Sequence, residues 1–194
     1  MNTPTLDAHL LEHYHPDYLL LKECKPAIIF QIQYGKKRFT NSLAKLHYNN
    51  TPDEALINVL CFALEEAQKL KIIKRYYKRI PFCCLVEAGE FNRSNIHMHS
   101  ILFDDGSYDI KQMVNFLNGF ICHQYLKLNY KQMMQHKRKM VNNVNIQKAY
   151  LYDTNLEPKG SMLKYICKRE KHIDDPLWFK SAGLIKQMER RFYE

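Results

Sequence analysis

The chain has no apolar run close to the ~18 residues needed to cross a membrane, so we expect no transmembrane segment. Its first residues show no basic stretch leading into an apolar core, which predicts no signal peptide. None of the six glycines belongs to a G-x-x-x-x-G-K-[ST] phosphate-binding loop, so no attached ATPase or helicase domain is expected. These absences favour a cytoplasmic protein.

The cysteines lack the spacing of a metal site or a redox pair, since no C-x-x-C occurs. The cysteine spacing does not indicate a set of disulfide bonds either. We expect reduced, mostly buried thiols in an intracellular chain. The six residues concerned are Cys24, Cys61, Cys83, Cys84, Cys122 and Cys167.

Acidic residues are scarce relative to basic ones: 20 Asp and Glu face 29 Lys and Arg, giving a formal net charge of +9. A charge of this size favours an acidic partner, which can be nucleic acid, an anionic membrane surface or an acidic protein. With 46% hydrophobic and 25% charged residues in 194, the composition predicts one globular domain that buries its own core.

The element pattern predicts an α+β fold with a mainly antiparallel central sheet and helices packed on one face. Residues 1–25 indicate a short helical lead-in, and residues 26–194 form the main domain with a C-terminal helix. Strands are predicted over 26–34, 82–87, 95–103 and 144–151, and helices over 51–71, 109–127 and 160–169 and at the C-terminus.

The strand at 95–103 carries two histidines with one residue between them. Side chains alternate along a strand, so His97 and His99 share a face and lie about 6.6 Å apart along it. At this spacing both imidazoles can bind one metal ion. The alternative is a pair of partly buried histidines in an ordinary strand.

A carboxylate near the histidines would complete a metal site. Glu87 ends the preceding strand and is the first candidate, while Glu90, in the connection between the strands, is the second. Either could instead be an exposed acid, the usual state of Glu. Two imidazoles and a carboxylate suit a divalent ion such as Mg²⁺ or Mn²⁺ and leave positions open for water and phosphate oxygen.

A third feature is a tyrosine followed by a lysine in the helix predicted over 160–169. Tyr165 and Lys168 lie three residues apart, which places them on one helical face. A nearby ammonium favours the phenolate, and a phenolate is a nucleophile. The alternative is a surface tyrosine beside surface lysines.

Taken in order, these features resemble the HUH endonucleases: a Glu at a strand end, His-Met-His on the next strand, and a helical Tyr-x-x-Lys. Val86-Glu87-Ala88-Gly89-Glu90 followed by Ile96-His97-Met98-His99-Ser100 is similar to the single-tyrosine rolling-circle replication initiators of filamentous phages (inoviruses) and of plasmids. The resemblance covers roughly residues 26–170.

The resemblance implies an HUH/RRM-like fold with a ferredoxin-like core and a metal site on the open face of the sheet. It implies site-specific nicking and joining of single-stranded or hairpin origin DNA through a 5′-phosphotyrosine intermediate. His97, His99 and Glu87 would hold the divalent metal. Tyr165 would be the nucleophile, and Lys168 would be a second catalytic residue. A host helicase would unwind the DNA in the cytoplasm of a bacterial host cell.

Two differences from the family's motifs limit which of its members the chain resembles. No second tyrosine follows Tyr165 by three or four residues, which implies a single nucleophile, and Arg169 stands where related transposases carry Gln. A relaxase or transposase of the same fold, and a non-catalytic basic nucleic-acid-binding regulator, remain alternatives. A phage, a plasmid and a prophage are equally compatible sources.

Overall fold

The computed structural model describes residues 13–33, 52–87, 96–129, 131–135, 148–153, 161–168 and 177–193. Predictions that concern Glu90, Arg169, the segment 1–12 and the first half of the strand expected over 144–151 lie outside these ranges.

The described part of the chain contains five strands, five α-helices whose bounds follow, and a further helical segment at 131–135. The strands are β1 (Pro26–Gln33), β2 (Phe82–Glu87), β3 (His97–Phe103), β4 (Lys148–Leu151) and β5 (Leu177–Lys180). The helices are α1 (Tyr18–Glu23), α2 (Pro52–Lys69), α3 (Ile110–Phe120), α4 (Met162–Cys167) and α5 (Ala182–Tyr193). A π-helical turn, Ile121–Tyr125, extends α3, and a short 3₁₀ turn, Tyr77–Arg79, precedes β2.

The strands form one sheet in the order β4-β1-β3-β2-β5, and each neighbouring pair is antiparallel. The first four strands with α2 and α3 follow the β-α-β-β-α-β order of a ferredoxin-like core. The predicted α+β class with an antiparallel sheet is therefore confirmed. The edge strand β5 was not predicted, although its Leu-Trp-Phe sequence is typical of a strand.

The two faces of the sheet differ in composition. Ile28, Phe30 and Ile32 point to the face that packs against α2 and α3. The opposite face was expected to be open, but its apolar half, with Ile29 and Phe103, is covered by α1, α4 and α5. Cover is needed there because apolar side chains on a bare face would remain in water.

Polar caps fix where two helices begin. The Asp109 carboxylate accepts a hydrogen bond from the Gln112 amide at 2.7 Å and starts α3. The Ser161 hydroxyl accepts from the Lys164 amide at 3.2 Å and starts α4, the helix that carries Tyr165. In each case the side-chain oxygen satisfies a backbone donor that has no partner inside the helix.

The cysteines are all free thiols, and five of the six are buried, as the sequence predicted. Burial raises the pKa of the Cys24 thiol to about 11, so this side chain stays protonated at neutral pH. Among the described helices, none has the length and apolar character that a membrane crossing requires.

Candidate metal centre

The pairing of β2 with β3 brings the three predicted ligands to one place. His97 lies directly opposite Glu87, and His99 lies opposite Leu85. Directly opposed residues in an antiparallel pair share a face, so Glu87 projects on the same side as both histidines. The sequence identified Glu87 only by its position at a strand end, and the register now places its carboxylate beside the imidazoles.

The ligand atoms have the spacing of a metal site. Glu87 Oε2 lies 3.6 Å from His99 Nε2 and 3.9 Å from His97 Nε2. Two ligands at about 2.1 Å from one ion are roughly 3–4 Å apart, so these separations fit. All three ligand atoms lie within 4.8 Å of one another, and the cluster can hold a metal ion.

The cluster is largely withdrawn from solvent. The side chains of His99, Glu87 and His97 are 10%, 12% and 17% exposed. The two imidazole rings stand edge to face with their centroids 4.9 Å apart. A carboxylate removed from water has a high free energy unless a cation or hydrogen-bond donors compensate it, so this environment favours a bound cation.

A buried glutamine orients one of the histidines. Gln31 lies opposite His99 on β1, and its amide Nε2 is 2.8 Å from His99 Nδ1. A histidine that binds metal through Nε2 carries its proton on Nδ1, which must then donate. The Gln31 amide turned by half a turn has the same shape and presents its oxygen to His99 as the acceptor, so the hydrogen-bond network decides between the two orientations.

The rotated amide also finds a partner for its nitrogen. The Tyr150 hydroxyl is 3.4 Å from the second amide atom of Gln31, here Oε1. Burial raises the pKa of Tyr150, so its hydroxyl stays neutral and can either donate or accept. Gln31 can therefore orient His99 whether or not a metal ion is bound.

We predict that Gln31→Leu weakens Mn²⁺ binding by about 10- to 100-fold, the usual cost of losing a group that orients a ligand. Isothermal titration calorimetry on the folded variant measures the change. The matched control is Gln33→Leu, on the same strand and face, because no side-chain hydrogen bond of Gln33 is found in the described part of the chain. Equal affinities of the two variants would show that Gln31 has no orienting role.

The helix α4 places its tyrosine against the cluster. Leu163, Ile166 and Cys167 are buried against the sheet and anchor the helix. The Tyr165 hydroxyl donates to Glu87 Oε2 at 2.9 Å, and the Tyr165 ring lies 5.1 Å from the His99 ring, centroid to centroid. A residue 78 positions from Glu87 in the sequence thus reaches the oxygen that faces both imidazoles.

Lys168 does not occupy the helical position that the sequence suggested. The helix ends at Cys167, and Lys168 follows it with an extended backbone, ψ 131°. Its backbone instead forms an antiparallel bridge with Tyr14. The expectation of a shared helical face with Tyr165 is wrong, because the chain leaves the helix one residue too early. A contact of Lys168 with substrate stays a prediction.

Two residues near the cluster were missed by sequence reasoning, Gln31 and Lys148. Lys148 lies opposite Gln31, so the cross-strand row runs from Lys148 through Gln31 to His99. Its ammonium stands 4.5 Å from the centroid of the Tyr150 ring, and burial lowers its pKa. The signal available was the alternation of Lys148 and Tyr150 around a buried alanine, which places both on one face.

Fold and site together define an α+β chain with a ferredoxin-like core and a two-histidine, one-carboxylate cluster in contact with a helical tyrosine. Comparison of the chain with protein-family models, with curated proteins and with solved structures finds no match. The function must therefore be argued from the residues themselves.

Proposed function

We propose that the protein is a metal-dependent endonuclease and strand transferase that initiates rolling-circle DNA replication. The observation that carries the proposal is the hydrogen bond from the Tyr165 hydroxyl to Glu87 Oε2, at 2.9 Å. It brings a potential nucleophile into contact with a carboxylate that can also bind a metal ion.

The proposed reaction is phosphoryl transfer from the DNA backbone to tyrosine. The Tyr165 oxygen attacks the scissile phosphorus and releases its proton to water, because Glu87 Oε2, which accepts the hydroxyl hydrogen bond, is also the oxygen that would bind the metal ion. The bond from phosphorus to the 3′ oxygen breaks, and that oxygen takes a proton from water to give a free 3′-OH. The 5′ end remains on Tyr165 as a phosphotyrosine. A later attack by a 3′-OH on this phosphodiester joins the strand and releases the tyrosine.

The candidate metal ligands fit a first-row divalent ion. A bound ion would polarise the phosphate and neutralise charge that develops during transfer. Imidazole nitrogen is a better ligand for Mn²⁺ than for Mg²⁺, so tighter Mn²⁺ binding is expected from His97 and His99. Lys148 supplies a cation on the same face of the sheet, and Lys168 remains a candidate phosphate contact.

The donor set alone does not select this reaction, because two histidines and a carboxylate also bind non-haem iron. Tyr165 against Glu87 and a net charge of +9 favour a phosphate substrate instead. A relaxase or a transposase would use the same chemistry on different DNA. The proposed initiator acts on single-stranded or hairpin origin DNA in the bacterial cytoplasm, with a host helicase.

The direct test is formation of a covalent protein–DNA adduct. Purified protein is incubated with Mn²⁺ and a pool of single-stranded oligonucleotides of random sequence, then boiled in detergent and separated by electrophoresis. We expect a metal-dependent adduct that EDTA prevents, with the phosphate mapped to Tyr165 by mass spectrometry. Sequencing of the attached DNA gives the preferred site. Metal-independent binding without any adduct would support the non-catalytic regulator instead.

A further inference from the structure

A basic cleft lies apart from the metal cluster, with a volume of about 810 Å³. We define it by the cationic side chains that line it: Lys25, Arg75, Lys78, Arg79, Lys186, Arg190 and Arg191. They come from three separate segments, which are the turn before β1, the segment between α2 and β2, and the helix α5. The fold therefore gathers charges that are scattered along the sequence.

The basic cleft lies at the end of β2 far from the metal cluster. Lys78 and Arg79 precede Phe82, the first residue of β2, whereas Glu87 is its last. Five residue steps of about 3.3 Å separate those two ends, a distance of about 17 Å. The helix α5, which supplies Lys186 and Arg190, packs on the same face of the sheet as α4 with its Tyr165.

The acids in the basic cleft do not neutralise it. Asp105 is paired with Arg75, with 2.9 Å between Oδ2 and Nη1, and also accepts a hydrogen bond from the Ser107 amide at 3.0 Å. Asp104 accepts one from the Gly106 amide at 2.9 Å and so stabilises a turn. Lys186 and Arg190 are exposed and form no ion pair within the described residues.

Like charges held together repel one another, so the cluster stabilises the fold poorly. A polyanion removes that repulsion, and phosphate groups suit both ammonium and guanidinium donors. Among the described residues that line the cleft, none has an aromatic side chain on which a base could stack. The cleft therefore has the chemistry to contact a nucleic-acid backbone and no means of reading bases by stacking.

We propose that the basic cleft binds backbone phosphates of the DNA strand several nucleotides from the one that is cut. This inference rests on the proposed function, because it takes the strand at Tyr165 to be DNA. A separation of about 17 Å is spanned by a few nucleotides of an extended single strand. The cleft would then fix the direction and register of the strand without adding sequence preference.

The test compares two variants of equal charge in the Tyr165→Phe background, in which no covalent trapping occurs. The cleft variant is Lys186→Gln with Arg190→Gln, and the control is Lys111→Gln with Lys131→Gln, at exposed helical positions outside the cleft lining. Fluorescence anisotropy with a labelled mixed-sequence single-stranded oligonucleotide gives affinity against salt concentration. Losing two phosphate contacts lowers the slope of log K against log salt by about 1.4.

We expect the salt slope to fall in the cleft variant alone. Its melting temperature should be unchanged or raised, because repulsion between the cationic side chains of the cleft is relieved. As the oligonucleotide is shortened until it no longer reaches the cleft, the affinity of the parent protein should fall to that of the cleft variant. Equal slopes in both variants, or no DNA binding by the parent, overturn the inference. If DNA binding depends on the cleft but the protein with Tyr165 intact never forms the adduct, only the proposed function is refuted. If the adduct forms but the salt slope of the cleft variant is unchanged, only DNA binding by the cleft is refuted.

Discussion

Tyr165→Phe should abolish the covalent protein–DNA adduct and leave the fold and DNA binding intact. Removing the attacking oxygen removes the reaction path itself, so we expect a loss on the order of 10⁴-fold or more in adduct formation. The variant loses the hydrogen bond to Glu87, and such a bond contributes about 1 kcal/mol to stability. The measurement is denaturing electrophoresis of labelled DNA with protein and Mn²⁺, next to anisotropy for binding.

The control is Tyr14→Phe, which changes a tyrosine next to the end of α4, the helix that carries Tyr165. Its ring stacks on that of Tyr18 with centroids 5.0 Å apart, and its backbone pairs with Lys168. This variant should form the adduct at the parent rate. An adduct that persists in Tyr165→Phe would identify a different nucleophile and refute the role assigned here to Tyr165.

His97→Ala should remove Mn²⁺ binding and, with it, the cutting reaction. The loss of one of three protein ligands should cost more than the about 10- to 100-fold that follows loss of an orienting group. Mn²⁺ at 100 times its dissociation constant stabilises a folded protein by about 2.7 kcal/mol, which appears as a higher melting temperature. We expect this increase in the parent protein and its absence in the variant, by thermal unfolding with and without Mn²⁺.

The comparison for this variant is His123→Ala, an exposed histidine in the π-helical turn after α3. It should keep the full Mn²⁺-dependent increase in melting temperature. Because the readout is unfolding, it tests the metal centre independently of any catalytic activity. An equal Mn²⁺ effect in His97→Ala and in the parent would place the metal elsewhere.

Strictly local signals were sufficient for part of the fold and part of the site. The period of two along β3 assigned His97 and His99 to one face. Asp109 and Ser161 marked the starts of α3 and α4, because capping depends only on neighbouring backbone groups. The order of strands and helices likewise follows from patterns within short windows, and the structure confirms the α+β class.

Other features depend on pairings between distant residues. The short edge strand β5 was missed because four residues carry too little pattern, and its pairing with β2 joins positions such as Cys83 and Lys180. Lys168 was misplaced because helix length was read from spacing, whereas the chain turns to pair with Tyr14. Local sequence does not encode these partners.

The sequence by itself determined that this protein has a pair of histidines on one strand face, an antiparallel sheet and an excess of positive charge. Only the tertiary structure decided that Glu87 and Gln31 flank the histidines, that Tyr165 reaches Glu87, and that lysines and arginines gather in one cleft. The physical reason is that strand register and helix docking are set by the packing of the whole core, which no short window contains.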